Sequence, residues 1–269
     1  MDARPIGVFD SGLGGLTTVK KLAQLLPEEN IVYLGDTGRV PYGSRSNETI
    51  IKYARQAADF LTGFDIKAMV IACNTACSTA YDIIHDSYGV PIFEVVTPPA
   101  QTAAQYTKNK KIGVIGTTAT IRSGAYEKSI MKIAPDCNVF SVSCPLFVPL
   151  VENGRTGPND VAALDIAFGY LSDLCNAGID TLILGCTHYP LLQDVILKVV
   201  GPDVKLIDSG AETAKLVAND LVAHKMKAPG STTGNIKYFV TDSVEGFSTL
   251  ASVYLEADIH GLVEQVTLE

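Results

Sequence analysis

One stretch occurs twice in this chain, and that repeat constrains the fold more than any other feature. Val70-Ile71-Ala72-Cys73-Asn74-Thr75-Ala76 is answered by Ile183-Leu184-Gly185-Cys186-Thr187-His188. Each copy is an apolar run ending in one cysteine, then small hydrogen-bonding residues, then an amphipathic helical pattern. The flanks repeat in the same order. Ile6-Gly7-Val8-Phe9-Asp10-Ser11 matches Ile112-Gly113-Val114-Ile115-Gly116-Thr117, and Val40-Pro41-Tyr42 matches Val148-Pro149-Leu150. The partners lie about 110 residues apart, as two copies of one α/β unit would. Copies facing each other across a pseudo-twofold axis bring their cysteines to one cleft from opposite sides.

The first unit reads as strands over Pro5–Phe9, Asn30–Leu34, Lys67–Ala72 and Val90–Val95. The second reads as strands over Lys111–Ile115, Asn138–Val142, Asp180–Leu184 and Val204–Ile207. Continuous apolar runs at Lys67–Ala72 and Asp180–Leu184 mark strands buried on both faces. Helical patterns lie between them: one ending at Leu26, one capped by Ser46 and running to about Phe64, and others over Asn159–Ala177 and Ala211–Ala223. Pro190 is tolerated at the start of another. The fold class is α/β: two pseudo-symmetric, doubly wound parallel-sheet domains with the active site in the cleft between them. The second unit starts near Thr97-Pro98-Pro99, and the segment from Asn235 returns to the first. A discontinuous first domain over 1–97 and 208–269, and a second over 98–207, are expected.

The net charge of −8 and the lack of any Lys/Arg run exclude a nucleic-acid partner held through phosphates. No stretch approaches the roughly 20 apolar residues of a membrane helix, and the start has no apolar signal-peptide core. A cytoplasmic protein with no membrane partner is expected. Its six cysteines should then be reduced thiols. None forms a C-x-x-C pair and no histidine pair completes a zinc pattern, so no metal is expected. Cys77, Cys137 and Cys175 read as small buried apolar residues.

The segment Asp10-Ser11-Gly12-Leu13-Gly14-Gly15 follows the first strand, and Asp36 ends the second. A dinucleotide site has a similar outline, but Thr17 stands where its third glycine belongs. Asp10 would also repel a pyrophosphate. The glycines instead make a tight turn that presents Asp10 and Ser11 to the cleft. Backbone N–H groups of Tyr42 and Gly43 suit a substrate carboxylate, as does the hydroxyl-rich run holding Thr117, Thr118 and Thr120. Asn74 and Thr75 open a helix, where N–H groups and the dipole favour anions and should lower the Cys73 thiol pKa. Thr187 and His188 follow Cys186, and Glu152 lies on the loop Pro145–Gly154, the partner of the Pro41 loop.

Paired thiols on opposite faces suit removal of a proton from the α-carbon of an amino acid. Many enzymes stabilise that carbanion with a pyridoxal phosphate Schiff base, but no lysine here is suitably placed in the pattern. Without a cofactor, bases must be held at contact distance in a dry, donor-rich site. One cysteine removes the proton as thiolate; the other returns one from behind as thiol. Asp10 is expected to work near Cys73, with His188 and Glu152 near Cys186.

Phe9 to Gly15, Gly35-Asp36-Thr37 with Pro41-Tyr42-Gly43, Ala72 to Ala76, and Gly185-Cys186-Thr187-His188-Tyr189-Pro190-Leu191 together resemble the glutamate racemases. Gly116-Thr117 with Thr120 and Ser123, and Val148-Pro149-Leu150-Val151-Glu152, are similar too. The resemblance runs from about residue 6 to Ser209. It implies a cofactor-independent isomerase that interconverts L- and D-glutamate and supplies D-glutamate for peptidoglycan. It also implies Cys73 and Cys186 as proton donor and acceptor. Asp10-Ser11, Tyr42-Gly43, Asn74-Thr75 and Thr187-His188 would be the substrate-binding pairs. A homodimer is implied as well. Some longer relatives carry an N-terminal extension tied to activation by a cell-wall precursor; here the first strand begins about five residues in. The alternatives are an aspartate or hydantoin racemase, a one-cysteine decarboxylase, a thiol hydrolase using His188, and a two-lobed binding protein without chemistry.

Overall fold

The computed structural model describes residues 1–230 and 232–269. Its strands are β1 Ile6–Asp10, β2 Ile31–Gly35, β3 Ala68–Ile71, β4 Ile92–Phe93, β5 Lys111–Gly116, β6 Asn138–Ser143, β7 Thr181–Gly185, β8 Lys205–Asp208, β9 Ile236–Val240 and β10 Val263–Gln265. They form a six-stranded sheet, ordered β10-β9-β2-β1-β3-β4, and a four-stranded sheet, ordered β6-β5-β7-β8. Every pairing is parallel. The order β2-β1-β3-β4 in one sheet is the order β6-β5-β7-β8 in the other, so the sequence repeat is also a topological repeat. β9 and β10 extend the first sheet along its β2 edge.

The helices are α1 Leu16–Leu25, α2 Asn47–Thr62, α3 Asn74–Ile84, α4 Thr97–Tyr106, α5 Thr118–Ser123, α6 Ala125–Ile133, α7 Phe147–Glu152, α8 Val161–Ala177, α9 Gln193–Val200, α10 Ser209–Ala223 and α11 Val244–Leu255. Side chains start several of them. Ser46 Oγ accepts the Thr49 N–H at 3.3 Å before α2, Asp160 takes the Ala163 N–H at 3.0 Å before α8, and Asp208 takes the Ala211 N–H at 3.1 Å before α10. Along α2 the buried residues Ile50, Ala54, Ala57, Ala58 and Leu61 recur at helical spacing. Buried apolar residues of both sheets join into shared clusters, so the core runs from one sheet to the other. Among the described residues, no helix is long and apolar enough to cross a membrane.

Four expectations change. β4 is only Ile92–Phe93, because the Glu94 side chain turns the chain by accepting the Val96 and Thr97 N–H groups at 2.5 and 2.7 Å. The loop Pro145–Gly154 is largely the short helix α7. Pro190 lies in a 3-10 turn, Tyr189–Leu192, and α9 follows it. Cys175 is exposed, whereas Cys77 and Cys137 are buried.

Register positions the site. Phe9 pairs with Ile71 and Gly116 with Gly185. One or two residues further on, Ser11 and Cys73 emerge side by side from the first sheet, and Thr117 and Cys186 from the second. Both pairs stand at the carboxyl ends of central strands, where open parallel sheets bind ligands.

Candidate active site

Cys73 is the residue that caps α3: its sulfur accepts the Ala76 N–H at 3.5 Å, and its thiol donates to Ser11 Oγ at 3.3 Å. The thiol is 5% exposed. Burial, followed by the nearby Asp10 carboxylate, pushes its pKa up to about 12, against the pull of the hydrogen bonds from Ser11 and Ala76. The expectation of a lowered pKa at this helix N-terminus is therefore corrected: desolvation outweighs the helix N–H groups.

Asp10, expected to work near Cys73, acts on that thiol through its charge rather than through a hydrogen bond. It is 1% exposed, accepts the Gly12 N–H at 2.9 Å, and lies behind the cavity wall. Burial raises its pKa, while His188, the Gly12 and Gly15 N–H groups and the Thr187 hydroxyl draw it back down. Asp10 thus sits between the two halves. A Cβ on Gly15 would lie 2.4 Å from Asp10 Cβ, and one on Gly14 only 2.0 Å from Thr187 Oγ1. The glycine turn presents Ser11 to the cleft but not Asp10, which stays behind it, and the turn lets Thr187 and His188 close onto the first half. Thr17 joins in, its hydroxyl donating to the carbonyls of Gly14 at 2.8 Å and Thr187 at 3.1 Å.

Across the cleft, Cys186 Sγ lies 4.0 Å from His188 Nδ1, and His188 Nε2 lies 3.3 Å from Glu152 Oε1. Burial alone would lower the imidazole pKa. Contacts with Cys186 and Glu152, with the charge of Asp10 added, outweigh it and push His188 up to about 10. That rise favours the charged imidazolium form of the ring near pH 7. Because this folded-state pKa lies above the ordinary 6.5, the stabilisation is complete below about 6.5 and is lost as pH rises through about 10. The thermal midpoint of the wild type should therefore fall between pH 7 and pH 10. That of His188→Asn should fall less over the same range. Parallel declines in thermal melts of the two proteins would refute the charge state assigned to His188.

Thr75, Thr117 and Thr120 share hydroxyl hydrogen bonds across the two halves: 2.8 Å from Thr75 to Thr117, 3.1 Å from Thr117 to Thr120 and 3.5 Å from Thr75 to Thr120. Thr117 also caps α5 by accepting the Thr120 N–H at 3.3 Å. Thr120 lies behind Thr117 rather than on the wall, whereas Thr118 reaches the cavity. Asn74 is held by residues the sequence did not single out: its amide donates to Ser209 Oγ at 3.2 Å, and the Tyr126 hydroxyl donates to its carbonyl at 2.5 Å. Neither partner lies near a cysteine in sequence. The Tyr42 hydroxyl donates to the buried carboxylate of Asp36, which fixes the Tyr42-Gly43 turn.

These groups enclose a cavity of about 300 Å³. Ser11, Tyr42, Gly43, Cys73, Asn74, Thr75, Thr117, Thr118, Glu152, Cys186, Thr187 and His188 line it, with apolar walls from Val40, Val148 and Pro149. Two thiols from different sheets therefore face one space sized for a small molecule. Among the described residues, no cluster of three or more His, Cys, Asp or Glu is arranged to hold a metal ion.

The family model for Asp/Glu/hydantoin racemases matches residues 6–217. The chain belongs to that family. Such a racemase is an isomerase. The chain is 48% identical over 269 residues to a glutamate racemase of Geobacter metallireducens, covering all of this chain and 98% of that one. Among solved structures, this racemase matches a glutamate racemase isoform from Bacillus anthracis with a TM-score of 0.94 at 38% identity. It matches a glutamate racemase from Francisella tularensis, in complex with D-glutamate, with a TM-score of 0.92 at 39% identity. Both alignments cover 100% of this chain and 99% of the other.

Proposed function

We propose that this racemase interconverts L- and D-glutamate with Cys73 and Cys186 as its two bases and no organic cofactor. The observation that carries the mechanism is that both thiols line one cavity, each delivered by a different sheet. Glutamate is the substrate favoured by the full-length likeness to glutamate racemases, one of which holds D-glutamate.

The α-carbon of glutamate lies between the sulfurs. Cys186 begins as thiolate beside the imidazolium of His188, and Cys73 begins as thiol, its hydrogen turned toward Ser11. The thiolate takes the α-proton from one face, and the opposing thiol delivers its proton to the other. The centre inverts and the two sulfurs exchange protonation states. Turnover in the opposite direction starts from the opposite state. Glu152 orients His188, and Asp10 sets the field behind Cys73. Ser11, Asn74, Thr75, Thr117, Thr118, Thr187 and the Tyr42-Gly43 backbone hold the amino and carboxylate groups, with Thr120 supporting Thr117. The dry cavity strengthens each of these interactions on the developing carbanion.

The domain division 1–97 with 208–269 against 98–207, a homodimer, a cytoplasmic location and a role in supplying D-glutamate to peptidoglycan complete the proposal. The test follows L- and D-glutamate separately in deuterated water, with no cofactor added. Optical rotation should decay from both enantiomers, with α-deuterium appearing first in the inverted product. Absence of inversion and of exchange from either enantiomer would overturn the proposal.

A further inference from the structure

Tyr254 lies on α11, beyond residue 217 where the family match ends. Its ring stands edge-on to the His188 imidazole, with centroids 6.1 Å apart and planes at 90°. Tyr254 is 3% exposed, and its hydroxyl is buried with no hydrogen-bond partner among the described residues. Burial, and then the negative charges of Glu152, Cys186 and Asp10, hold that hydroxyl in its protonated, donor form. A buried O–H without an acceptor is costly to keep, so its retention beside a titrating pair calls for an explanation.

A candidate acceptor is Glu152, whose charge acts on that hydroxyl. Its side chain is 39% exposed, and its 3.3 Å contact with His188 is at the long end for a charged pair. A carboxylate so placed is free to swing toward solvent. It needs a second anchor to stay against the imidazolium, and Asp10 and Cys186, the other charged groups that face His188, are acceptors that cannot provide one. Tyr254 approaches the same ring from α11 as a donor.

We infer that Tyr254 is a positioning residue whose hydroxyl donates to Glu152 in the working enzyme and keeps that carboxylate on His188, so that the imidazolium stays beside Cys186. This deepens the racemase assignment of the same site and rests on it. Tyr254 touches no reacting atom. It acts through Glu152 and His188, and its ring shields the imidazole from water.

Tyr254→Phe removes only the hydroxyl. The expected result is a fall in kcat of about 5–10-fold, as for a group that orients an acid–base pair rather than serving as one, with KM changed less than twofold. The alkaline limb of the kcat–pH profile should move to lower pH, because a released Glu152 no longer supports the imidazolium. In a Glu152→Gln background the same substitution should add nothing, since the carboxylate charge it positions against His188 is gone. Thermal stability should be unchanged or higher.

If the hydroxyl were only an unpartnered buried group, Tyr254→Phe would raise the melting temperature while leaving kcat and the pH profile as they were. That result would overturn the inference, as would a kcat loss that simply multiplies with that of Glu152→Gln. A readout independent of turnover separates this inference from the glutamate racemase assignment. The His188 ring can be titrated by NMR in the unliganded protein. Its midpoint should move down in Tyr254→Phe, and an unmoved midpoint would overturn the inference even in an enzyme that racemises glutamate normally.

Discussion

Replacing Cys73 with serine should lower racemisation by about 10²–10⁴-fold, the span expected for loss of a positioned acid–base group. A serine hydroxyl is much less acidic than a thiol, so it serves poorly both as donor and, once deprotonated, as a stable base. The loss must be equal in the two directions. Enantiomers have the same free energy, so the equilibrium constant is one, and kcat/KM for L- and D-glutamate must fall together in any variant. Proton exchange with solvent does not share that constraint. Cys186 and His188 remain intact in Cys73→Ser, so one enantiomer should still exchange its α-hydrogen for deuterium without inverting. Cys186→Ser should show the same behaviour for the other enantiomer. Racemisation within tenfold of wild type in either variant, followed by polarimetry and proton NMR in deuterated water, would remove the two-base mechanism.

The second large effect concerns stability, at the other end of the six-stranded sheet. Lys67 and Glu29 form an ion pair with both side chains fully buried. The Lys67 ammonium also donates to the carbonyls of Asp2 at 2.7 Å and Met226 at 2.8 Å, while Glu29 accepts the Ala228 N–H at 2.8 Å. One cluster thereby ties the chain entering β1, β2 and β3 to the segment that leaves α10. Lys67→Met should cost about 3–5 kcal/mol, because it strands a carboxylate in the interior. The double variant Lys67→Met/Glu29→Leu should recover much of that loss, since a buried pair replaced by apolar groups of similar volume is often neutral. Urea unfolding at pH 7 checks both. A single variant within about 1 kcal/mol of wild type would show that the charge at Glu29 is relieved by some other route.

Much of the fold was legible because it is written locally. Alternating apolar and helical periods report buried strands and amphipathic helices, and a duplicated order of strand, cysteine and helix reports a duplicated unit. The strand order confirms it, with β2-β1-β3-β4 mirrored by β6-β5-β7-β8. Cys73 and Cys186 could be found because each ends a central strand, a position with a sequence signature. Tyr126, Ser209, Thr17 and Tyr254 carried no such signal. Each reaches the site from a helix that looks ordinary in sequence, and only packing brings it there.

The chain by itself determined which groups stand at the strand ends: two thiols, a histidine, two carboxylates and a row of hydroxyls. It could not decide their protonation. Helix position alone pointed to an acidified Cys73, yet burial against Asp10 pushes that thiol up to about 12. Burial alone would draw the His188 pKa down, yet Cys186, Glu152 and Asp10 raise it. Charge state depends on the solvent excluded and on the charges within a few ångströms, and both are set by how two distant halves close on each other. Residue identity is a property of the chain, whereas the electrostatic environment of each sulfur exists only in the folded cleft.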